Sequence, residues 1–294
     1  MTAPAAYGFV GLGNMGGPMA ANLARSGVEL VVFDKAGTAA RAPAGTRAAS
    51  STAEVAAAAG TIFLSLPDGP AVLDVLEEIG TASGRVTRTV ADLSTVGIEA
   101  ARNACDRARD AGLVYVDAPV SGGRSGAVDA TISIMWAGSA ALLESNRPAL
   151  DTIAKHVFHV GTEAGQGQAL KLLNNFLSAT ATAATGEAVL FGLSQGLELK
   201  TILDVVNVST GRSHASADKY VNRVLTGTFD SGFATRLMAK DVRLFSEAAA
   251  AAGTPHAIGA TVRALWDAVE TDRPGSDHTE VFTFLRDSRE MSLD

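Results

Sequence analysis

Cysteine, aromatic residues and positive charge are all scarce in this 294-residue chain, and each shortage closes a class of function. The single cysteine, Cys105, cannot form an intrachain disulfide, and no Cys/His cluster has metal-ligand spacing. The chain therefore fits a reducing compartment and a metal-free site. His156 and His159, three apart beside a predicted strand, read as edge residues rather than ligands. Lys and Arg number 24 against 31 Asp and Glu, a formal net charge of -7, and no basic block stands out. Nucleic acid and membrane surfaces thus have no electrostatic footprint here. Only six residues precede the first predicted strand, too few for a signal or transit peptide. No apolar run is expected to span a membrane, because the long uncharged segment after Leu172 is interrupted by Asn, Ser and Thr. The expectation is a cytoplasmic protein whose partner is a small molecule.

What the chain does have is apolar bulk, 47% of its residues, and enough length for one large or two medium domains. Its clearest local pattern runs from Tyr7 to Lys35. Tyr7 to Val10 reads as a short buried strand, Gly11-Leu12-Gly13-Asn14-Met15-Gly16 as a turn, Met19 to Ser26 as a helix closed by Gly27, and Glu29 to Phe33 as the next strand, with Asp34 at its end. Glycines at these spacings let a backbone approach a pyrophosphate, the helix N-terminus offers N–H groups, and the acid about 20 residues on accepts hydrogen bonds from a ribose. With strand, turn, helix, strand and acid all in order, the unit predicts dinucleotide binding. Asp34 repels a 2′-phosphate and favours NAD, although Lys35 and Arg41 soften that discrimination and leave NADP open.

Further strands are predicted at Thr61 to Leu66, Thr89 to Leu93, Val114 to Val116, Ile132 to Trp136 and Val157 to Val160, separated by Ala-rich helical segments. This alternation predicts an α/β, Rossmann-type doubly wound parallel sheet over residues 1–163, with ligands at the C-terminal strand ends. Those ends carry Leu66-Pro67-Asp68, Ser94-Thr95 and Asp117 to Gly123. Residues 164–294 are expected to form an all-helical domain for substrate binding and dimerisation. It begins at Gly165 to Asn175, where a glycine-rich turn leads into a long helix, and continues through segments broken at Gly196, Gly211, Gly227, Gly253 and Pro274.

On that long helix Lys171, Asn174, Asn175 and Ser178 share one face. No charged residue occurs from Leu172 through Gly186, so the helix is expected to be covered on most sides and Lys171 to sit where an ammonium is costly. The alternative is a lysine whose stem packs on apolar surface while its head reaches water. The same uncharged, small-residue helix suggests burial against a second subunit in a homodimer or homotetramer.

These motifs together resemble the β-hydroxyacid dehydrogenases, a family that includes 3-hydroxyisobutyrate dehydrogenase and tartronate semialdehyde reductase. Phe9 to Asn22 is similar to the family's N-terminal fingerprint, Asp92-Leu93-Ser94-Thr95 to its cofactor-side loop, Asp117 to Gly123 to its substrate loop, Gly165 to Asn175 to its catalytic helix, and Lys240-Asp241 to its late Lys-Asp pair. The resemblance implies reversible hydride transfer between NAD(P) and the alcohol carbon of a short 3-hydroxy acid or its semialdehyde. It implies Lys171 as the acid/base, its pKa lowered from about 10 toward about 7 or 8, with Asn174 and Asn175 positioning it and the substrate. Ser121, Gly122 and Gly123 would hold the substrate carboxylate, a hydroxyl and successive N–H groups making an anion cradle. Leu66 and Pro67 would line the adenosine side, Thr95 and Lys240 would contact the cofactor, and Phe233 would pack near it.

The chain departs from the family's pattern in places. Ala130-Thr131 stands where Gly-Thr is common, Gly97 where proline is, and Trp136 replaces a small aliphatic residue. Arg124 follows the two glycines directly and is either a ligand for a second anionic group or a solvent-facing loop residue. Two other readings are an imine-reducing relative and a non-catalytic NAD-binding module; such proteins are expected to lack the lysine that stands at position 171.

Overall fold

The computed structural model describes residues 6–291 of the chain. In order, the elements are β1 (Tyr7–Val10), α1 (Gly16–Arg25), β2 (Leu30–Phe33), α2 (Thr38–Arg41), β3 (Arg47–Ala48), α3 (Thr52–Ala58), β4 (Thr61–Leu64), α4 (Gly69–Thr81), β5 (Thr89–Asp92), α5 (Ile98–Asp110) and β6 (Val114–Asp117). There follow β7 (Val120–Ser121), α6 (Gly123–Val128), β8 (Ile132–Ala137), α7 (Ala140–Ile153), β9 (Ala154–Gly161) and α8 (Gln166–Ser194). The remainder is helical: α9 (Leu199–Asn207), a π-helix (Ala215–Val224), α10 (Thr235–Ala251), α11 (Ala257–Asp272), a 3-10 turn (His278–Glu280) and α12 (Val281–Met291). The chain divides into two units, Met1–Lys171 and Leu172–Asp294.

The first unit is one sheet of order β3-β2-β1-β4-β5-β6-β8-β7, with β9 paired to β8. Its strands are short and apolar because both faces are covered. Phe9, Val32, Phe63 and Ala91 point into one cluster with α1 residues Met19 and Leu23. Their chain neighbours Val10, Val31, Ile62, Leu64 and Val90 point into the other, with Val72 and Leu76 of α4. This period-two division between two cores is the doubly wound arrangement. From β3 to β6 the pairing is parallel, as expected. Beyond that the parallel expectation is corrected in part, since β8 runs antiparallel to both β6 and β7 while β9 pairs with β8 in parallel. The two-residue strands β3 and β7 are too short to leave a periodicity in the sequence.

In the second unit, α8 continues to Ser194 without a break, carrying Gly186 inside it. A Cβ on Gly186 would lie 2.7 Å from the Tyr220 hydroxyl, which donates to Thr182 O at 2.9 Å, so this glycine serves close packing rather than a helix end. The predicted helix around Asp218 is a π-helix, whose wider turn directs the consecutive Lys219 and Tyr220 toward α8. Phe176 stacks on Phe245 at 4.1 Å and packs against a cluster that includes buried Trp266 and Met238. The expectation that α8 is covered on most sides is also corrected: Leu173, Leu177 and Phe191 are 40%, 61% and 69% exposed and lie on one stripe at helical spacing. By length and composition α8 is apolar enough to cross a membrane, which its interrupting polar residues had argued against.

One departure from the family's pattern carries a strain. Ala130 has φ 55°, the left-handed region that glycine enters without penalty. Ala130→Gly is expected to raise stability by about 0.5–1 kcal/mol, relief of the backbone strain exceeding the added entropy of the unfolded chain. Urea unfolding of the two proteins measures it.

Candidate active site

The glycine turn between β1 and α1 contains two kinds of glycine. Gly11 has φ +95°, and a Cβ there would lie 2.2 Å from Ser65 O; one on Gly16 would lie 1.9 Å from Gly11 O. These two are required by the turn's own packing. Gly13 is different, because nothing lies within 4 Å of a Cβ built on it. Open space over a backbone at the start of a helix is what a pyrophosphate needs. No side chain caps α1, and a recess of about 360 Å³ opens at the turn, lined by Leu12, Gly13, Asn14, Gly17, Pro18, Arg41 and Arg124. At the end of β2, Asp34 accepts the Leu12 N–H at 2.6 Å and the Ala36 N–H at 2.8 Å, and Arg41 Nη1 stands 3.8 Å away. The residues fit a dinucleotide: an anion-seeking turn with a carboxylate fixed beside it for ribose hydroxyls. Met15 precedes α1 as its N-cap residue. Arg124 thus faces the glycine turn.

The neighbouring strand ends are bound together by two acids. Strand register sets Asp92 beside Asp117 at the ends of β5 and β6, both fully buried. Asp92 accepts the Tyr115 hydroxyl at 2.8 Å and the Ser94 N–H at 2.9 Å. Asp117 Oδ2 accepts the Gly165 and Gln168 N–H groups at 2.9 and 3.0 Å, while Oδ1 accepts Gln168 Nε2 at 2.7 Å. Gln168 is itself fully buried. Its Oε1 accepts the Val96 and Gly97 N–H groups at 2.9 and 3.1 Å, and its Nε2 also donates to Ser94 O at 3.1 Å. The loop bearing Thr95, the end of β6 and the first turn of α8 are therefore one hydrogen-bonded body. Lys171 lies one helical turn beyond Gln168 on the same side of α8 and is 8% exposed. Burial pushes the Asp117 carboxyl up from 3.8 to about 6, helped by the Asp92 charge and opposed by the hydrogen bonds from Gln168 and Gly165.

Two more loops of the same unit carry predicted site residues. Leu66, just after β4, donates its N–H to Ser94 Oγ at 2.8 Å, tying Leu66-Pro67 to the β5 loop. Ser121 ends β7, opposite Ser133 of β8, and is followed by Gly122 and Gly123 at φ 132° and 65°. A Cβ at Gly122 would crowd Ile132 at 3.1 Å, whereas Gly123 faces open space.

Within the second unit, Asn175 Nδ2 donates to Asp241 Oδ2 at 2.6 Å and Asn174 Nδ2 to Asn175 Oδ1 at 3.2 Å, while Lys240 Nζ stands 3.6 Å from Asp241 Oδ1. Asp241, 2% exposed, thus joins both asparagines of α8 to Lys240 of α10. Phe233 lies edge-on to His278 at 5.8 Å, its carbonyl accepting the His278 N–H at 2.9 Å. Sequence reading missed Gln168 and Asp241 as anchors and took Asp117 only as part of a substrate loop. The signal available was spacing: Gln168 is one turn before Lys171, and Asp241 adjoins Lys240.

Comparison with known proteins finds matches along nearly the whole chain. Residues 6–161 match the family model described as the NAD binding domain of 6-phosphogluconate dehydrogenase, and residues 165–285 the model described as NAD-binding of NADP-dependent 3-hydroxyisobutyrate dehydrogenase. The 2-(hydroxymethyl)glutarate dehydrogenase of Eubacterium barkeri is 37% identical over 252 residues, 84% of this chain and 83% of its own. The NAD-dependent L-serine dehydrogenase of Pseudomonas aeruginosa is 35% identical over 269 residues, 88% of this chain and 90% of its own. Among solved structures, 3-hydroxyisobutyrate dehydrogenase of Mycobacterium tuberculosis with L-serine superposes with a TM-score of 0.88 at 32% identity, covering 96% of this chain and 99% of that one. Imine reductases stand further off, at 23% identity or less, a likeness of fold alone.

Removing the amide of Gln168 tests the anchor. Gln168→Leu removes the side-chain partner of Asp117 Oδ1, of Ser94 O and of the Val96 and Gly97 N–H groups, and is expected to cost about 3–5 kcal/mol in urea unfolding. Asp117 also gives the fold a pH dependence. Because its folded-state value is raised, its contribution to stability is full below about pH 4 and is lost as pH rises through about 6. The melting-temperature difference between wild type and Asp117→Asn is therefore expected to shift against the wild type across that window; a constant difference would exclude Asp117 as the titrating group.

Proposed function

The chain belongs to the β-hydroxyacid dehydrogenase family, NAD(P)-dependent oxidoreductases of hydroxy acids, and we propose that it oxidises the alcohol carbon of a short 3-hydroxy acid, or reduces the matching semialdehyde, with Lys171 as the acid/base. Bound NAD(P) supplies the hydride acceptor or donor. Gly11 to Gly16 would hold the pyrophosphate, and Asp34 would take the ribose hydroxyls and favour NAD. Leu66 and Pro67 line the adenosine side, Thr95 and Lys240 contact the cofactor, and Phe233 packs near it. Ser121, Gly122 and Gly123 hold the substrate carboxylate through a hydroxyl and backbone N–H groups. Lys171 Nζ takes the hydroxyl proton as the C–H bond yields its electron pair, and returns that proton when the aldehyde is reduced. Asn174 and Asn175 keep that face of α8 polar and in register, Asn175 being fixed by Asp241.

The observation that carries this reading is the placement of a buried lysine one turn beyond the Asp117–Gln168 anchor, in the unit that also holds the glycine turn and the Ser121 loop. A homo-oligomeric state forms part of the proposal, supported by the exposed apolar stripe Leu173, Leu177 and Phe191; a cytoplasmic location remains the corresponding proposal for where it works.

Nicotinamide absorbance with 3-hydroxyisobutyrate, L-serine and related acids, under both cofactors, tests the chemistry. Lys171→Ala is expected to lower kcat by about 10²–10⁴-fold while cofactor affinity, read by fluorescence titration, changes little. Equal activity in both proteins would remove Lys171 from the reaction. Leu177→Glu is expected to lower the mass measured by sedimentation; an unchanged oligomer would move the interface away from α8.

A further inference from the structure

An arginine from a distant part of the first unit's sequence stands at the glycine turn. Arg124, on α6, lines the recess over Leu12, Gly13 and Asn14, and Arg41 is the other charged residue of its wall. The two cations differ in their surroundings. Arg41 shares its charge with Asp34, 3.8 Å away, whereas Arg124 is exposed and enters no ion pair among the described residues.

The fold fixes Arg124 beside the turn from two sides. Asn22 of α1, 4% exposed, donates its side-chain amide to Ala127 O at 2.7 Å and to Val128 O at 3.4 Å, which fastens the end of α6 to α1 across 105 residues of chain. On its other side α6 lies against β8. A Cβ on Gly126 would come within 3.2 Å of Ile132 Cγ2, and the Thr131 N–H donates to Gly126 O at 2.8 Å. The backbone that carries Arg124 is therefore held, while its exposed side chain keeps the freedom to meet a ligand.

The chemistry of the recess selects the ligand. Backbone at Gly13 is open, with nothing within 4 Å of a built Cβ, and the first turn of α1 carries no acidic residue. A guanidinium matches phosphate oxygens two at a time. Ser121, Gly122 and Gly123, proposed above for the substrate carboxylate, do not line this recess, so Arg124 is placed to serve the turn and not the substrate.

We propose that Arg124 is a binding residue for the cofactor's diphosphate, an inference that rests on the placement of that group at Gly11 to Gly16. NAD and NADP share the diphosphate, so Arg124 raises the affinity for both and does not choose between them. Because the side chain is exposed, its contribution is screened by salt.

Fluorescence titration with NADH and NADPH, and displacement of NADH by ADP-ribose, tests this in wild type, Arg124→Ala, Arg124→Lys and Gly13→Leu. Arg124→Ala is expected to raise Kd about tenfold for NADH, NADPH and ADP-ribose alike, and Arg124→Lys to recover part of the loss. Added salt is expected to raise the wild-type Kd for NADH more steeply than that of Arg124→Ala. A loss confined to NADPH would make Arg124 a 2′-phosphate ligand and overturn the proposal. Unchanged Kd values with a raised KM for the hydroxy acid would assign it to the substrate and overturn it equally. Gly13→Leu separates Arg124 from the placement it rests on, since nothing crowds a side chain at that position. Weakened NADH binding in Gly13→Leu beside unchanged binding in Arg124→Ala overturns the role of Arg124 alone. Unweakened binding in Gly13→Leu removes the diphosphate from the turn, and the proposal with it.

Discussion

The hydrogen bonds between Asp117 and Gln168 are the constraint on which the rest of the first unit's chemistry depends. A buried carboxylate with three N–H donors is expensive to place and specific once placed. Here it accepts two backbone N–H groups at the start of α8 and one side-chain amide, so the direction of that helix is set by the end of β6 and not by apolar packing alone. Gln168 passes the constraint on to the β5 loop through Val96 and Gly97. Lys171 inherits its position from this anchor because a helix leaves no freedom between residues three apart. The raised Asp117 carboxyl reflects the cost of seating two acids side by side at adjacent strand ends.

How much of this was legible in the sequence follows from how local each signal is. Gly11 to Gly16 and Asp34 form one βαβ unit, and the turn is specified by residues within it. The lysine face of α8 was legible for the same reason, helical spacing needing only one element. Gln168 was not, since its four partners come from Asp117 and the Ser94 to Gly97 loop, 51 to 74 residues away in the chain. Asp241 was read only as the neighbour of Lys240, although its bond to Asn175 spans 66 residues. The antiparallel turn of β8 escaped because β7, which leads into it, is two residues long and carries no period.

The two classes of glycine at the cofactor turn separate architecture from function. Alanine at Gly11 or Gly16 would collide with the turn itself, so those positions would be glycine even if nothing bound. Gly13 has no such internal reason. Its empty surroundings are the mark of a surface left for a ligand, and they distinguish a working dinucleotide turn from a strand-to-helix turn of similar spelling. Arg41 and Arg124 line the same recess and add positive charge to it, while Asp34 is held by the Leu12 and Ala36 N–H groups.

Helix α8 carries two buried lysine contacts, at its own residue Lys171 and at Ser178, where Lys219 arrives from the π-helix. In water either ammonium would be unremarkable. Held at 8% exposure each must be stabilised by what surrounds it or by what binds. A helix otherwise uncharged between Leu172 and Gly186 gains nothing in packing from cations at its surface. Under the proposed chemistry Lys171 exchanges a proton with the substrate, so its ammonium is present in only part of the cycle. Lys219 is met by two hydroxyls of that helix, Ser178 Oγ and Thr182 Oγ1.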